Sequence, residues 1–141
     1  MNVNVKALNA WGSIAGGSLV VAGGVLPWLT LDAGLQRYGG TTGIYGWIVA
    51  AAGALAVAGG LYALQNPARW IVRANGVLGV ALTGFVAWLY AGLEALIRRP
   101  DAAMLVPRAG PGLFVAFAGA LAIAACALGA RTSLRRRHLS P

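Results

Sequence analysis

Residues 44–64 read IYGWIVAAAGALAVAGGLYAL, a run without a charged side chain or a proline. About 20 apolar residues in a helix cross the roughly 30 Å hydrocarbon core of a bilayer. Three further stretches, 9–31, 74–97 and 111–130, are mostly apolar over a similar length, and none carries a charge near its middle. The chain has 141 residues, of which 59% are hydrophobic and only 10% charged. A soluble domain carries about 25% charged residues, so this composition cannot cover a water-facing surface. The expected fold is therefore an all-α integral membrane protein. Residues 1–130 would form a four-transmembrane-helix bundle and 131–141 a basic cytoplasmic tail. Pro27 falls in the last turns of the first stretch, where a kink costs little. The apolar run from Asn9 continues to Leu31 without a small-residue cleavage site, so it reads as an uncleaved span rather than a signal peptide.

The net charge of +8 would suggest nucleic acid on a soluble protein. Here the cations stand beside apolar runs, which points to anionic lipid head groups and to topology, with no nucleic-acid partner. Four spans put both termini on one side. Lys6, Arg69, Arg73, Arg131, Arg135, Arg136 and Arg137 share that side, against Arg37, Arg98, Arg99 and Arg108 on the other. The positive-inside rule then places both termini in the cytoplasm. The three acidic residues, Asp32, Glu94 and Asp101, all fall on the outer side. Lys6 is the only lysine among 11 basic residues, a bias expected of a GC-rich, bacterial genome, so the location expected is a cell inner membrane. Trp11 and Trp28 lie 17 residues apart, roughly 25 Å along a helix, as interface anchors would. Trp70 with Trp88 and Trp47 with Tyr62 bracket the third and second spans in the same way.

The second and fourth spans resemble each other. YGWIVAAAGALAVAGG (45–60) aligns with PGLFVAFAGALAIAAC (111–126), so the chain reads as two tandem helical hairpins. Gly46, Gly53 and Gly60 recur along one face, as do Gly112, Gly119 and Cys126, and Gly12, Gly16 and Gly23 form a third stripe. In lipid, close backbone approach supplies packing energy, which makes these nine residues candidate helix-packing positions. A four-helix bundle is not expected to use every stripe internally, leaving at least one for another protein. Cys126 takes the place of Gly60 in the repeat and reads as a small packing residue. The chain has one Cys and one His, His138, so neither a disulfide nor a metal centre is expected.

Little else carries chemistry. The polar residues within the spans are Ser13, Ser18 and Thr83, which can bond to their own helix backbone. Glu94 lies about 9 Å beyond Trp88, at head-group level, with Arg98 four residues on as a partner. The segment LPWLTLDAGLQRYGGTTGIYGWI (26–48) reads as a hairpin cap: Gly39-Gly40 permit a reversal and Thr41-Thr42 cap the second helix. In the second outer loop, AAMLV (102–106) is expected to dip into the interface as a short helix. Asp32, Arg37, Tyr38, Glu94, Arg98 and Asp101 are the candidate outer contact residues. Arg131, Arg135, Arg136 and Arg137 are candidate anionic-lipid contacts.

VLPWLTL (25–31), a short basic turn NPARWIVRANG (66–76) and GPGLFVAFAGALAIA (110–124) resemble small actinobacterial four-span membrane proteins such as the tryptophan-biosynthesis-associated transmembrane family. The resemblance implies the four-span architecture and carries no catalytic residues. The first span lacks the glutamate of the small multidrug resistance exporters, and the charge bias is unlike that of dual-topology fluoride channels. No nucleophile, base or metal set is present, so no enzyme activity and no cofactor are expected. The function expected is that of an accessory or assembly subunit of a larger inner-membrane complex. Its partners would be lipids and other membrane subunits or copies of itself. The alternative is a small self-associating transporter or channel.

Overall fold

A computed structural model describes residues 5–31, 36–39, 41, 43–66, 69–98 and 107–137. Four helices are each long and apolar enough to cross a membrane: α1 (Val5–Val25), α2 (Ile44–Gln65), α3 (Arg69–Ile97) and α4 (Pro111–Arg137). Three short strands, β1 (Pro27–Leu31), β2 (Gln36–Gly39) and β3 (Pro107–Ala109), form one antiparallel sheet in the order β2-β1-β3. The sheet lies at one end of the bundle. The start of α1 and the end of α4 lie at the other.

The first span differs from expectation because Pro27 ends the helix rather than kinking it. Leu26 N–H still donates to the Ala22 carbonyl at 2.9 Å. Pro27 has no N–H with which to reach the next carbonyl, that of Gly23. The indole Nε1–H of Trp28 takes that carbonyl instead, at 2.8 Å, and residues 27–31 leave as β1. The 26–48 segment is thus the core of a sheet rather than a plain hairpin cap. Nor do Thr41-Thr42 cap α2: its N-cap is Gly43, without a side-chain cap bond, and Thr42 lies outside the described residues. Gly39 closes β2, while Gly40, Asp32 and Asp101 lie outside the described residues, as does AAMLV. At the other end, α3 begins at Arg69, ahead of the expected 74, so most of 66–76 is helix rather than turn. Asn75-Gly76 looks like turn chemistry, but Gly76 serves close packing: a β-carbon there would lie 2.8 Å from the Ala127 methyl. α4 starts with Pro111, a proline suited to the first helical position; its apolar span ends at Gly129, and residues 131–137 continue the helix.

α1 is the centre of the bundle. It packs against α2 and α4, α3 packs mainly against α4 and more lightly against α2, and α1 and α3 barely touch. The glycine doublets Gly16-Gly17 and Gly23-Gly24 explain how one helix serves two neighbours. A β-carbon on Gly16 would lie 2.8 Å from the Gly119 carbonyl oxygen of α4, and one on Gly17 would lie 2.8 Å from the Gly53 carbonyl oxygen of α2. One turn pair further, Gly23 meets Gly112 and Ala116, and Gly24 meets Gly46 and Ala50. Adjacent helical residues point about 100° apart, so each doublet gives one backbone approach to each partner. The seven-residue spacing keeps both seams in register along the helix. The matching halves of α2 and α4 therefore dock at the same height on neighbouring stripes of α1. Gly60 meets Ala10 and Ile14, and Gly12 meets Cys126, so all nine candidate packing residues lie against another helix of the same chain. The expectation that these stripes exceed what the bundle uses is thereby corrected. Val20, Val49, Val86 and Ile123, one from each helix, are fully buried at the centre.

Candidate functional site

Three regions depart from plain apolar packing: the sheet, a buried polar layer, and the basic end of the bundle. In the sheet, β1 pairs with β2 through Leu29↔Tyr38, Thr30↔Arg37 and Leu31↔Gln36, and with β3 through Leu29↔Ala109, Thr30↔Arg108 and Leu31↔Pro107. Gly110 N–H donates to the Trp28 carbonyl at 2.7 Å, so the sheet leads directly into α4. The Trp28 ring lies over Gly112, where a β-carbon would be 2.8 Å from ring carbon Cδ1. Trp28 is therefore a half-buried lock between α1, the sheet and α4. Trp11, Trp47, Trp70 and Trp88 are exposed, as anchors are. Trp88 also stacks on Phe85 at 5.9 Å between ring centroids and meets Tyr45 edge-on at 6.3 Å, joining α2 and α3.

The candidate outer residues do not form one cluster. Arg37 and Tyr38 stand on β2, whereas Glu94 and Arg98 end α3, whose sheet neighbour is β3. β1 separates the two groups. Arg98 Nη2 donates to Glu94 Oε1 at 2.5 Å and Nε donates at 3.2 Å, an exposed pair one helical turn apart. The carboxylate raises the guanidinium pKa above its ordinary value, through the hydrogen bond first and charge attraction second. The pair has no burial to strengthen it, so it orients the end of α3 rather than holding the bundle together.

Sequence reading named Ser13 but missed the two asparagines that share its layer. Asn9, Ser13 and Asn75 are buried. Asn75 contacts Gly59, and its Nδ2 reaches the Ala56 carbonyl at 3.5 Å. Asn9 Oδ1 has no hydrogen-bond partner. Gly60 faces Ala10 and Ile14, and Gly76 and Gly79 face Ala127 and Ala124, so the three polar residues occupy one layer near the basic end. They offer hydrogen bonds and no titratable group. Ser18 and Thr83 bond to the carbonyls of Ile14 and Gly79 at 2.9 and 2.8 Å, as expected of hydroxyls within spans. Asn9 and Asn75 had a visible signal, since an amide inside an apolar run needs a partner there. The Asn-Gly pair disguised it as a turn.

At the basic end, Arg73 is exposed on the first turns of α3. Arg131, Arg135, Arg136 and Arg137 continue α4. Among the described residues no group of three or more His, Cys, Asp or Glu side chains could hold a metal ion. Cys126 is a free thiol at the Gly12 contact. No protein-family model matches the chain, and no curated protein or solved structure is significantly similar to it.

Proposed function

We propose that the protein is an accessory or assembly subunit of a larger complex in a bacterial inner membrane, non-catalytic itself, with α3 as its partner-facing helix. The observation that supports this most is the outer face of α3. Its span is 17% buried, against 44% for those of α1 and α4. A β-carbon placed on Gly84 or Gly92 would have nothing within 4 Å, and Ala87, Ala91 and Ala95 are exposed at four-residue spacing. Glycine in a helix is disfavoured by about 1 kcal/mol relative to alanine. Small residues at this spacing favour a second helix at close range, a benefit that lipid tails do not provide. Glu94 and Arg98 extend the same side of α3 to the sheet end. There they supply the polar part of the contact, while Arg37 and Tyr38 stand on β2, beyond β1.

Extraction in mild detergent should recover the chain at a mass well above its own, and Ala91→Phe should return it toward the monomer without loss of helix content. A native chain that runs alone as a monomer would sink the proposal. The rival, a self-associating transporter, requires a pathway between copies, because Val20, Val49, Val86 and Ile123 fill the centre of one chain. A pure homo-oligomer that passes ions in liposomes would favour it.

Both termini belong in the cytoplasm on this proposal, by the arginine count. In a Cys126→Ala background, Thr41→Cys should react with an impermeant thiol reagent in intact cells and Ser133→Cys should not. The opposite labelling pattern would invert the orientation.

A further inference from the structure

We propose that the α3–α4 seam at the basic end is a binding site for an anionic phospholipid. One acyl chain lies in the seam and the phosphate lies against Arg73. The seam holds an open groove of about 300 Å³, lined by Gly76, Val77, Val80, Ala81, Ala127 and Leu128 among others. Its floor is where the helices touch: Gly76 against Ala127, and Gly79 against Ala124 and Ile123. Its walls are the exposed Val77, Val80 and Leu128, so it opens sideways, toward lipid. Small side chains at 76, 81, 124 and 127 leave room that a hydrocarbon chain fills without displacing anything.

The register of both helices gives the groove a charged end. Arg73 precedes Gly76 and Val77 by three and four residues, so it continues the same face of α3 toward the terminus. Arg131 and Arg135 follow Leu128 by three and seven residues and continue the groove-facing side of α4 in the same direction. Arg137 falls on the opposite side of the helix. Among the described residues the one acidic side chain is Glu94, near the other end of α3. An apolar slot with the exposed Arg73 on its α3 wall, and with Arg131 and Arg135 following on the α4 backbone, matches a lipid with a net negative head group. This site is independent of whether α3 also meets a partner protein.

The test is native mass spectrometry of the purified full-length chain, titrated with phosphatidylglycerol or phosphatidylcholine of equal chain length. The wild type should retain one phosphatidylglycerol in clear preference to phosphatidylcholine, and glycerol phosphate alone should not compete. Arg73→Gln with Arg131→Gln should weaken that retention by more than tenfold, taking about fivefold for each arginine near the surface. Arg136→Gln with Arg137→Gln removes the same charge elsewhere and should change it little. Ala81→Phe, an exposed position, should fill the groove and abolish the bound lipid, whereas Ala58→Phe on the exposed side of α2 should not. Equal effects from the two arginine pairs would reduce the attraction to general charge. Equal effects from the two phenylalanines would show that the groove is not the seat. Equal retention of the two lipids would remove the anionic specificity. A dimer that Ala81→Phe dissolves, with no lipid lost, would assign the groove to a second copy. Any of these results overturns the proposal.

Discussion

Gly119→Leu is expected to abolish the folded bundle, while Gly84→Leu leaves it intact. Both replacements put the same side chain into a glycine of a membrane span, so they share the change in helix propensity and in apolar content. They differ in what the first new atom meets. At Gly119 a β-carbon would lie 2.5 Å from the Gly16 carbonyl oxygen, 2.9 Å from Val20 N and 2.9 Å from the Leu19 β-carbon. Two of these are backbone atoms of α1 and cannot rotate away, so α4 must move off α1 as a whole. At Gly84 there is nothing within 4 Å. Overpacking a tight core costs roughly 1–3 kcal/mol when side chains can yield, and more when they cannot. Against a total stability of about 5–15 kcal/mol, losing the α1–α4 seam removes a large share. Gly53→Leu should act similarly through α2, since its β-carbon would meet the Gly17 carbonyl oxygen and Val21 N at 2.9 Å each. Thermal unfolding in detergent, followed by circular dichroism, and the yield of monodisperse protein would measure the difference. Equal stability of Gly119→Leu and Gly84→Leu would mean that α4 is not seated on α1 through this stripe.

How the glycines are arranged was partly legible. The repeat between 45–60 and 111–126 shows that two helices carry the same heptad of small residues, and four apolar runs suffice for the architecture. The partner of those two helices was not visible. Gly12, Gly16 and Gly23 read as a single stripe, with no part in it for Gly17 and Gly24. Only a three-dimensional arrangement in which α2 and α4 flank the same helix gives the second glycine of each doublet a task. A periodicity analysis finds one face per helix, and a helix with two close-packed faces defeats it. The same limit hid the outer face of α3. Gly84 and Gly92 look like the other glycines in sequence and differ only in having no neighbour.

The sheet was illegible for another reason. Residues 27–31, 36–39 and 107–109 are too short to show alternation, and the last, Pro-Arg-Ala, has no strand-forming residue. Its strand character comes from β1, a segment far away in sequence, and pairing of that range leaves no local signature. Pro27 was the available clue. A proline that removes the N–H reaching for Gly23, followed at once by a tryptophan whose indole takes that carbonyl, marks a helix end rather than a bend.

Gly110→Val should separate β3 from β1 and unseat the start of α4. The residue has no room for any side chain: a β-carbon would overlap the Pro27 carbonyl oxygen, 2.8 Å from the Pro27 carbonyl carbon and 3.0 Å from that of Trp28. All three are backbone atoms of the central strand or its entry, so relief requires the two segments to part. Parting them breaks the Gly110 N–H to Trp28 carbonyl bond and loosens the pairs Leu29↔Ala109 and Thr30↔Arg108. Each polar backbone group left unpaired and shielded from water costs about 1–3 kcal/mol. The damage should be confined to the sheet end, since the glycine seams between α1 and its neighbours lie deeper in the bundle. A paired Thr30→Cys and Arg108→Cys substitution, in a Cys126→Ala background, reads the outcome directly. Facing residues of an antiparallel pair stand about 4.5–5.5 Å apart between α-carbons, within the span a disulfide bridges. Oxidation should join the two cysteines when residue 110 is glycine, fixing β3 to β1, and should fail when it is valine. Efficient joining in the valine variant would show that Gly110 tolerates a side chain and that the strands hold without its close approach.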